Sequence, residues 1–304
     1  MLFRSSAGSA SLRDTNALSL GDISVTNTLT LQSGGAMTQV ATKTITAASL
    51  ELLDSGAITL SNSSNDVDTL AATTSNALSF RDTDGLTIGT VNTTVGITTT
   101  NDDVSLQTGG ALTVDDDITL GGGNLTLNSD GAVTQNAGKT ITASGLELLG
   151  AGTVDLTDNG NDINTLAANT TNTISFRDTD DLTIGTVNTV GLTTSNKNVS
   201  LRTGGTLTID DDIALGTGTL TINSSGSVTQ NAGDTIAASN LDLLGSGAVT
   251  LTDSGNDVDT LAATTSNALS FRDTDGLTIG TVNTTVGITT TNDDVSLQTG
   301  GALT

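Results

Sequence analysis

Apolar and polar residues alternate along this chain in short bursts of three. Leu78-Ser79-Phe80, Leu86-Thr87-Ile88, Val104-Ser105-Leu106 and Leu112-Thr113-Val114 each set one polar residue between two apolar ones. The series continues through Ile118-Thr119-Leu120, Leu125-Thr126-Leu127, Leu146-Glu147-Leu148 and Val154-Asp155-Leu156. Alternation with period two puts both apolar members on one face of a strand and the middle residue on the other. Gly, Asn and Asp, which favour turns, separate the triplets. Strands this short cannot pack as an ordinary face-to-face sheet. They suit the sides of a right-handed parallel β-solenoid, whose coils hydrogen-bond to the coils above and below. The pattern predicts an all-β chain without helix, triplet end-members inward and middle residues outward.

The pattern itself recurs. SFRDTD starts at Ser79, Ser175 and Ser270, and NDVDTL or NDINTL starts at Asn65, Asn161 and Asn256. GAMTQ, GAVTQ and GSVTQ carry their Thr at positions 38, 134 and 229, and the first SFRDTD interval is 175 − 79 = 96 residues. Residues 65–113 return without a change as residues 256–304. Fixed-period self-similarity marks stacked architectures, in which a unit buries its apolar face only against a neighbour. The chain is therefore expected to be one continuous solenoid over 1–304, a segment of a longer repeat protein. Its copies are 1–77 (partial), 78–173, 174–268 and 269–304 (partial). Three strands to a coil divide the repeat near Leu78, Val104, Leu125 and Leu146, with the next copy at Ile174. That makes about 24 residues per coil and four coils per repeat, and a dozen coils would rise about 60 Å at ~4.8 Å each. Nothing near Leu2 or Thr304 resembles a cap, so the terminal coils are expected to fray or to stack end to end.

An array of immunoglobulin-like sandwiches is the competing architecture, because about 100 residues is their natural size. The first copy argues against it. LRDTNALSLGD from Leu12 matches FRDTDGLTIGT from Phe80 at an offset of 68, whereas GAMTQ matches GAVTQ at 96. The missing 96 − 68 = 28 residues amount to one coil, which a stack can lose and a sandwich cannot.

Composition narrows the function. There is no Pro, Cys, His, Trp or Tyr and there are four Phe, while Thr, a strand former, is about a fifth of the residues. An apolar fraction of 35% supports a narrow core only. A net charge of −24 with nine Lys and Arg excludes a nucleic-acid surface, which needs clustered cations. No apolar run reaches the ~18 residues of a membrane helix, so membrane insertion is not expected. Without His or Cys the usual nucleophile–base pairs are missing, and the chain is expected not to be an enzyme.

Acidic clusters are the remaining chemistry. Asp115-Asp116-Asp117 and its copy Asp210-Asp211-Asp212 precede a strand and read as solvated turns, with calcium or a catalytic carboxylate pair as the sharper alternative. Asp82-Thr83-Asp84-Gly85 and Asn101-Asp102-Asp103 have the start of an oxygen-ligand loop. However, Gly85 becomes Asp181, and Asp102-Asp103 becomes Lys197-Asn198. A calcium site needs six to eight oxygens in every copy, so no cofactor is expected beyond a weak possibility of calcium at these turns. Arg81, Arg177 and Arg272 each precede Asp-Thr-Asp and are expected to pair with a carboxylate at a corner. Phe80, Phe176 and Phe271 should fill the core once per repeat. The outward series mixes Ser, Thr, Glu and Asp, which does not make the uniform Thr ladder of an ice-binding face.

The run GAVTQNAGKTITASGLELLGAGTVDLTDNGNDINTLAA over 131–168, with LTIGTV at 182–187 and VSLRTGGTLT at 199–208, resembles the repeats of filamentous haemagglutinin-type large exoproteins. The resemblance implies the shaft of a Gram-negative surface adhesin, extracellular or attached to the outer membrane. Host or neighbouring cells would then be met through regions outside this segment. A self-assembling extracellular filament or matrix protein, joined end to end, is the alternative.

Overall fold

The computed structural model describes residues 8–53 and 56–304, and the stretch around Leu2 lies outside these. Among the described residues every regular element is a strand, and none is a helix. The chain divides into two compact units, one ending at Gly152 and one beginning at Thr153.

In the first unit the triplets become sides of coils, and each coil lies parallel on the one before. Val104, Ser105 and Leu106 sit on Leu78, Ser79 and Phe80. Leu125, Thr126 and Leu127 follow above them, and then Leu146, Glu147 and Leu148. Parallel stacking at every step excludes the sandwich array, whose strands pair antiparallel. The apolar members are buried: Leu78 and Phe80 are 2% and 1% exposed, Leu125 and Leu148 0%. Each such side chain contributes about 1.5–3 kcal/mol of burial. Phe80, Phe176 and Phe271 are all 1% exposed, one bulky core group per repeat as expected. The outward middle residues keep some exposure, with one correction: Glu147 is only 3% exposed.

Coils that carry no hairpin or similar excursion are shorter than the 24 residues read from the sequence. The steps from Val104 to Leu125 and from Leu125 to Leu146 are 21 residues each, while the step from Leu78 to Val104 is 26. The second unit shows why division by four misleads. Ile174 lies under Val199, then Leu220, Leu241 and Leu261, so four coils use 261 − 174 = 87 residues. The sequence counterpart of Ile174 is Leu269, 95 residues on. A repeat is therefore one side longer than four coils, and Ile174 itself stacks on Val154.

The extra side arises at the LAA motif. In the strand Asp66–Thr73, Leu70 pairs with Ile88 above it and Ala72 pairs with Ile97, so one strand carries two. Eight residues, 89–96, leave the wall between those two partners. They form a hairpin in which Thr90-Val91 pairs antiparallel with Thr94-Val95 and which lies against the Asp66–Thr73 strand. The second unit repeats the device: Leu261 carries Ile279, Ala263 carries Ile288, and Thr281-Val282 pairs with Thr285-Val286. Alternation points Ala71 and Ala262 outward, yet both are 0% exposed. A small residue there lets the hairpin lie flat.

Candidate functional site

Three polar constellations recur along the coils. The first closes a corner. Asn65 is 0% exposed, and its amide oxygen accepts from Gln39 Nε2 at 2.6 Å and from the Ile45 N–H at 3.0 Å. Its Nδ2 donates to Leu60 O at 3.1 Å, Arg81 O at 3.2 Å and Gln39 Oε1 at 3.1 Å. Asn256 repeats the set with Gln230, Ile236, Leu251 and Arg272. A buried amide has two donors and two acceptor sites, and here both kinds are engaged.

Across that corner Asp82, 1% exposed, accepts the N–H of Val67 at 2.8 Å on one oxygen and of Asp84 at 3.1 Å on the other. Asp178 and Asp273 do the same for Ile163 and Asp180, and for Val258 and Asp275. Burial is the dominant influence on these carboxyls and outweighs the N–H groups they accept. It pushes Asp82 and Asp178 up to about 7, and it raises Asp273. At Asp82-Thr83-Asp84-Gly85 both oxygens of Asp82 therefore satisfy main-chain N–H groups of the corner. Arg81, Arg177 and Arg272 form no close ion pair with a described carboxylate, although, behind two main-chain N–H groups, the Arg272 charge adds to the lowering of Asp253. Among the described residues the ion pairs are Lys43–Asp22 at 3.1 Å and Lys139–Asp116 at 2.6 Å. Arg81 and Arg272 each also give the corner a main-chain carbonyl, which accepts from Asn65 and Asn256.

The second constellation is the seat of the hairpin. Asn92, at its tip with φ +54°, donates to Glu51 Oε2 at 2.6 Å and to Thr30 Oγ1 at 3.2 Å. Thr94 Oγ1 donates to Glu51 Oε1 at 2.8 Å, and Thr30 Oγ1 to Oε2 at 2.8 Å. Glu51, an outward middle residue, is 4% exposed because the hairpin covers it. In the second unit Asn283 likewise reaches Asp242 Oδ2 at 2.8 Å and Thr221 Oγ1 at 3.1 Å.

The third is the acidic triplet, which is consumed by its neighbours. Asp115 accepts from Asn136 Nδ2, Asp116 from Thr90 Oγ1 at 2.5 Å and Lys139 Nζ, and Asp117 from the Thr140 N–H at 2.7 Å. The Lys139 contact first, and Thr90 second, hold Asp116 below the usual carboxylate range. The copy Asp210-Asp211-Asp212 makes the matching contacts to Asn231, Thr186 and Thr235. In place of Lys139 it meets Asp234, raised by burial and then by Asp211, Asp210 and Asp212. Asp103, from the other suspected loop, accepts the Asn124 N–H at 2.8 Å. Among the described residues no three acidic side chains are grouped to hold a metal ion.

In the sequence Asn65 and Gln39 are only markers of the repeat and Asp82 only a candidate oxygen ligand, and nothing local shows that they are hydrogen-bond partners at a corner. The invariance of polar residues among the copies of one chain was the available signal. Glu51 and the hairpin were missed as well. The clue was Leu70-Ala71-Ala72, an apolar run interrupting strict alternation.

A family model described as "Repeats of unknown function (DUF5649)" matches residues 7–74, 101–170 and 196–265. The matches skip 75–100 and 171–195, the stretches that contain the hairpin 89–96 and the Thr186–Val190 bridge. No curated protein and no solved structure matches the chain.

Proposed function

For a chain that belongs to the DUF5649 repeat family, we propose the role of a structural shaft in a secreted bacterial surface adhesin. The shaft holds binding or effector regions away from the cell and has no catalytic part of its own. One observation carries this reading: each recurrent polar cluster is spent on joining one coil to the next. Asn65, Glu51 and Asp116 each bond across at least one coil of the first unit, and Asn256 and Asp242 do so in the second. Reactive or ligand-binding side chains are instead expected to converge once, in a cleft, with perturbed and unshared groups. The resemblance to filamentous haemagglutinin-type repeats supports the extracellular setting and the adhesive partners.

The purified 304 residues should bind neither host cells nor polysaccharide saturably, and should turn over no polysaccharide. In the intact surface protein, removing one 21-residue coil such as 104–124 should shorten the distance between flanking labels and leave ligand affinity unchanged. Saturable cell binding by these residues alone, or a polysaccharide-cleaving rate abolished by Asp116→Ala and Asp117→Ala, would overturn the proposal. Concentration-dependent end-to-end polymerisation would favour the filament alternative.

A further inference from the structure

The two hairpins have the same sequence, GTVNTTVG, at 89–96 and 280–287, but they rest on different acids, Glu51 and Asp242. The tip contacts match: Asn92 and Asn283 each donate to one carboxylate oxygen and to the Thr one coil further down, Thr30 or Thr221. The second oxygen differs. Glu51 Oε1 receives Thr94 Oγ1 at 2.8 Å. Asp242 Oδ1 is buried and, among the described residues, is the one buried side-chain oxygen without a hydrogen-bond partner. Its residue is 2% exposed, and Thr285, the counterpart of Thr94, is 8% exposed.

Aspartate is one methylene shorter than glutamate, so with the hairpin pinned at Asn283 the carboxylate cannot reach the Thr285 hydroxyl. A buried carboxylate oxygen left bare is costly, and a water is the smallest donor that could supply the bond Thr94 gives to Glu51. We infer that the hairpin seat of the second unit binds a single buried water, which donates to Asp242 Oδ1 and bonds Thr285 Oγ1. The first unit closes the same gap with protein atoms. The site selects a neutral donor of water size, since Asn283 already supplies the other carboxylate oxygen.

The test is a pair of reciprocal substitutions, Asp242→Glu and Glu51→Asp, in the full chain. Magnetisation transfer from long-lived water to nearby amides, with a high-resolution crystal structure, reads the sites. The parent should show one long-lived water at Asp242 and none at Glu51. Asp242→Glu should expel it and bring Thr285 onto the carboxylate, and Glu51→Asp should create a second water beneath Thr94. A direct Thr285–Asp242 bond in the parent, a water that survives Asp242→Glu, or a dry Glu51→Asp seat would each overturn the inference. Unchanged protection of the Ile45 and Ile236 amides would establish that the variants are folded.

Discussion

Replacing the fully buried Asn65 by Leu keeps the branched outline and the number of side-chain heavy atoms, adds bulk, and deletes its five hydrogen bonds. The Ile45 N–H loses its partner in a buried setting, at about 1–3 kcal/mol for an orphaned donor. The Gln39 amide loses both its contacts to Asn65, each worth about 0.5–1.5 kcal/mol. Together the substitution should cost about 3–5 kcal/mol. Coils are held mainly by their neighbours, so the loss should appear as local opening. Native-state hydrogen exchange reads it: the Ile45 amide should lose roughly a hundredfold to a few thousandfold in protection, at tenfold per ~1.4 kcal/mol. The second unit supplies a control in the same tube, because the Ile236 amide bonds Asn256 Oδ1 at 2.9 Å and should be unaffected. Asn65→Asp adds a check on sign. It keeps the acceptor for Ile45 but turns an oxygen toward Leu60 O, Arg81 O and Gln39 Oε1, so its defect should ease as pH falls and the carboxyl protonates. Parent-like protection of Ile45 in Asn65→Leu would refute the view that this amide holds the corner.

Other perturbations test other parts of the stack. Asp82 and Asp178 have carboxyls raised from 3.8 to about 7 in the folded chain, so the folded state binds more protons between those values. Their stabilisation is full below pH 3.8 and lost as pH rises through 7; chemical denaturation from pH 4 to 8 should show falling stability, and a rise would contradict the assignment. Asp116 has the opposite sign, its lowered carboxyl contributing above 3.8 and losing that contribution in stronger acid. Asp234→Lys should reproduce the Lys139–Asp116 contact at Asp211 and stabilise the second unit by up to about 1 kcal/mol, a gain that 1 M salt should shrink in thermal melts. Gly96 has φ +62° and its added Cβ would fall on the Asp117 carbonyl oxygen; Gly96→Ala should cost about 2 kcal/mol or more, read as faster exchange of the Ile97 amide.

Residues 65–113 and 256–304 separate what sequence decides from what the stack decides. The same string makes the same strands in both places. Leu78-Ser79-Phe80-Arg81-Asp82 and Leu269-Ser270-Phe271-Arg272-Asp273 share one burial pattern, and Asn65 and Asn256 make the same corner. Period-two alternation, β-branched triplets and Gly-Asn-Asp turns are local, so they fixed the strand, its inward face and the parallel all-β class. The side count was not local. The 96-residue period suggested four equal coils because a hairpin that leaves the wall looks, in sequence, like further wall. Its seat is equally hidden, since Asn92 and Glu51 are 41 residues apart and meet only once the coils are stacked. Burial shows the limit most directly: Val104 and Leu112 are each 1% exposed because they lie beneath Leu125 and Val133 of the next coil. Each strip of Leu, Ile and Val is the sequence's own. Whether water is excluded from it depends on the coil that lies above, because a strand three residues long has no core until another covers its edge.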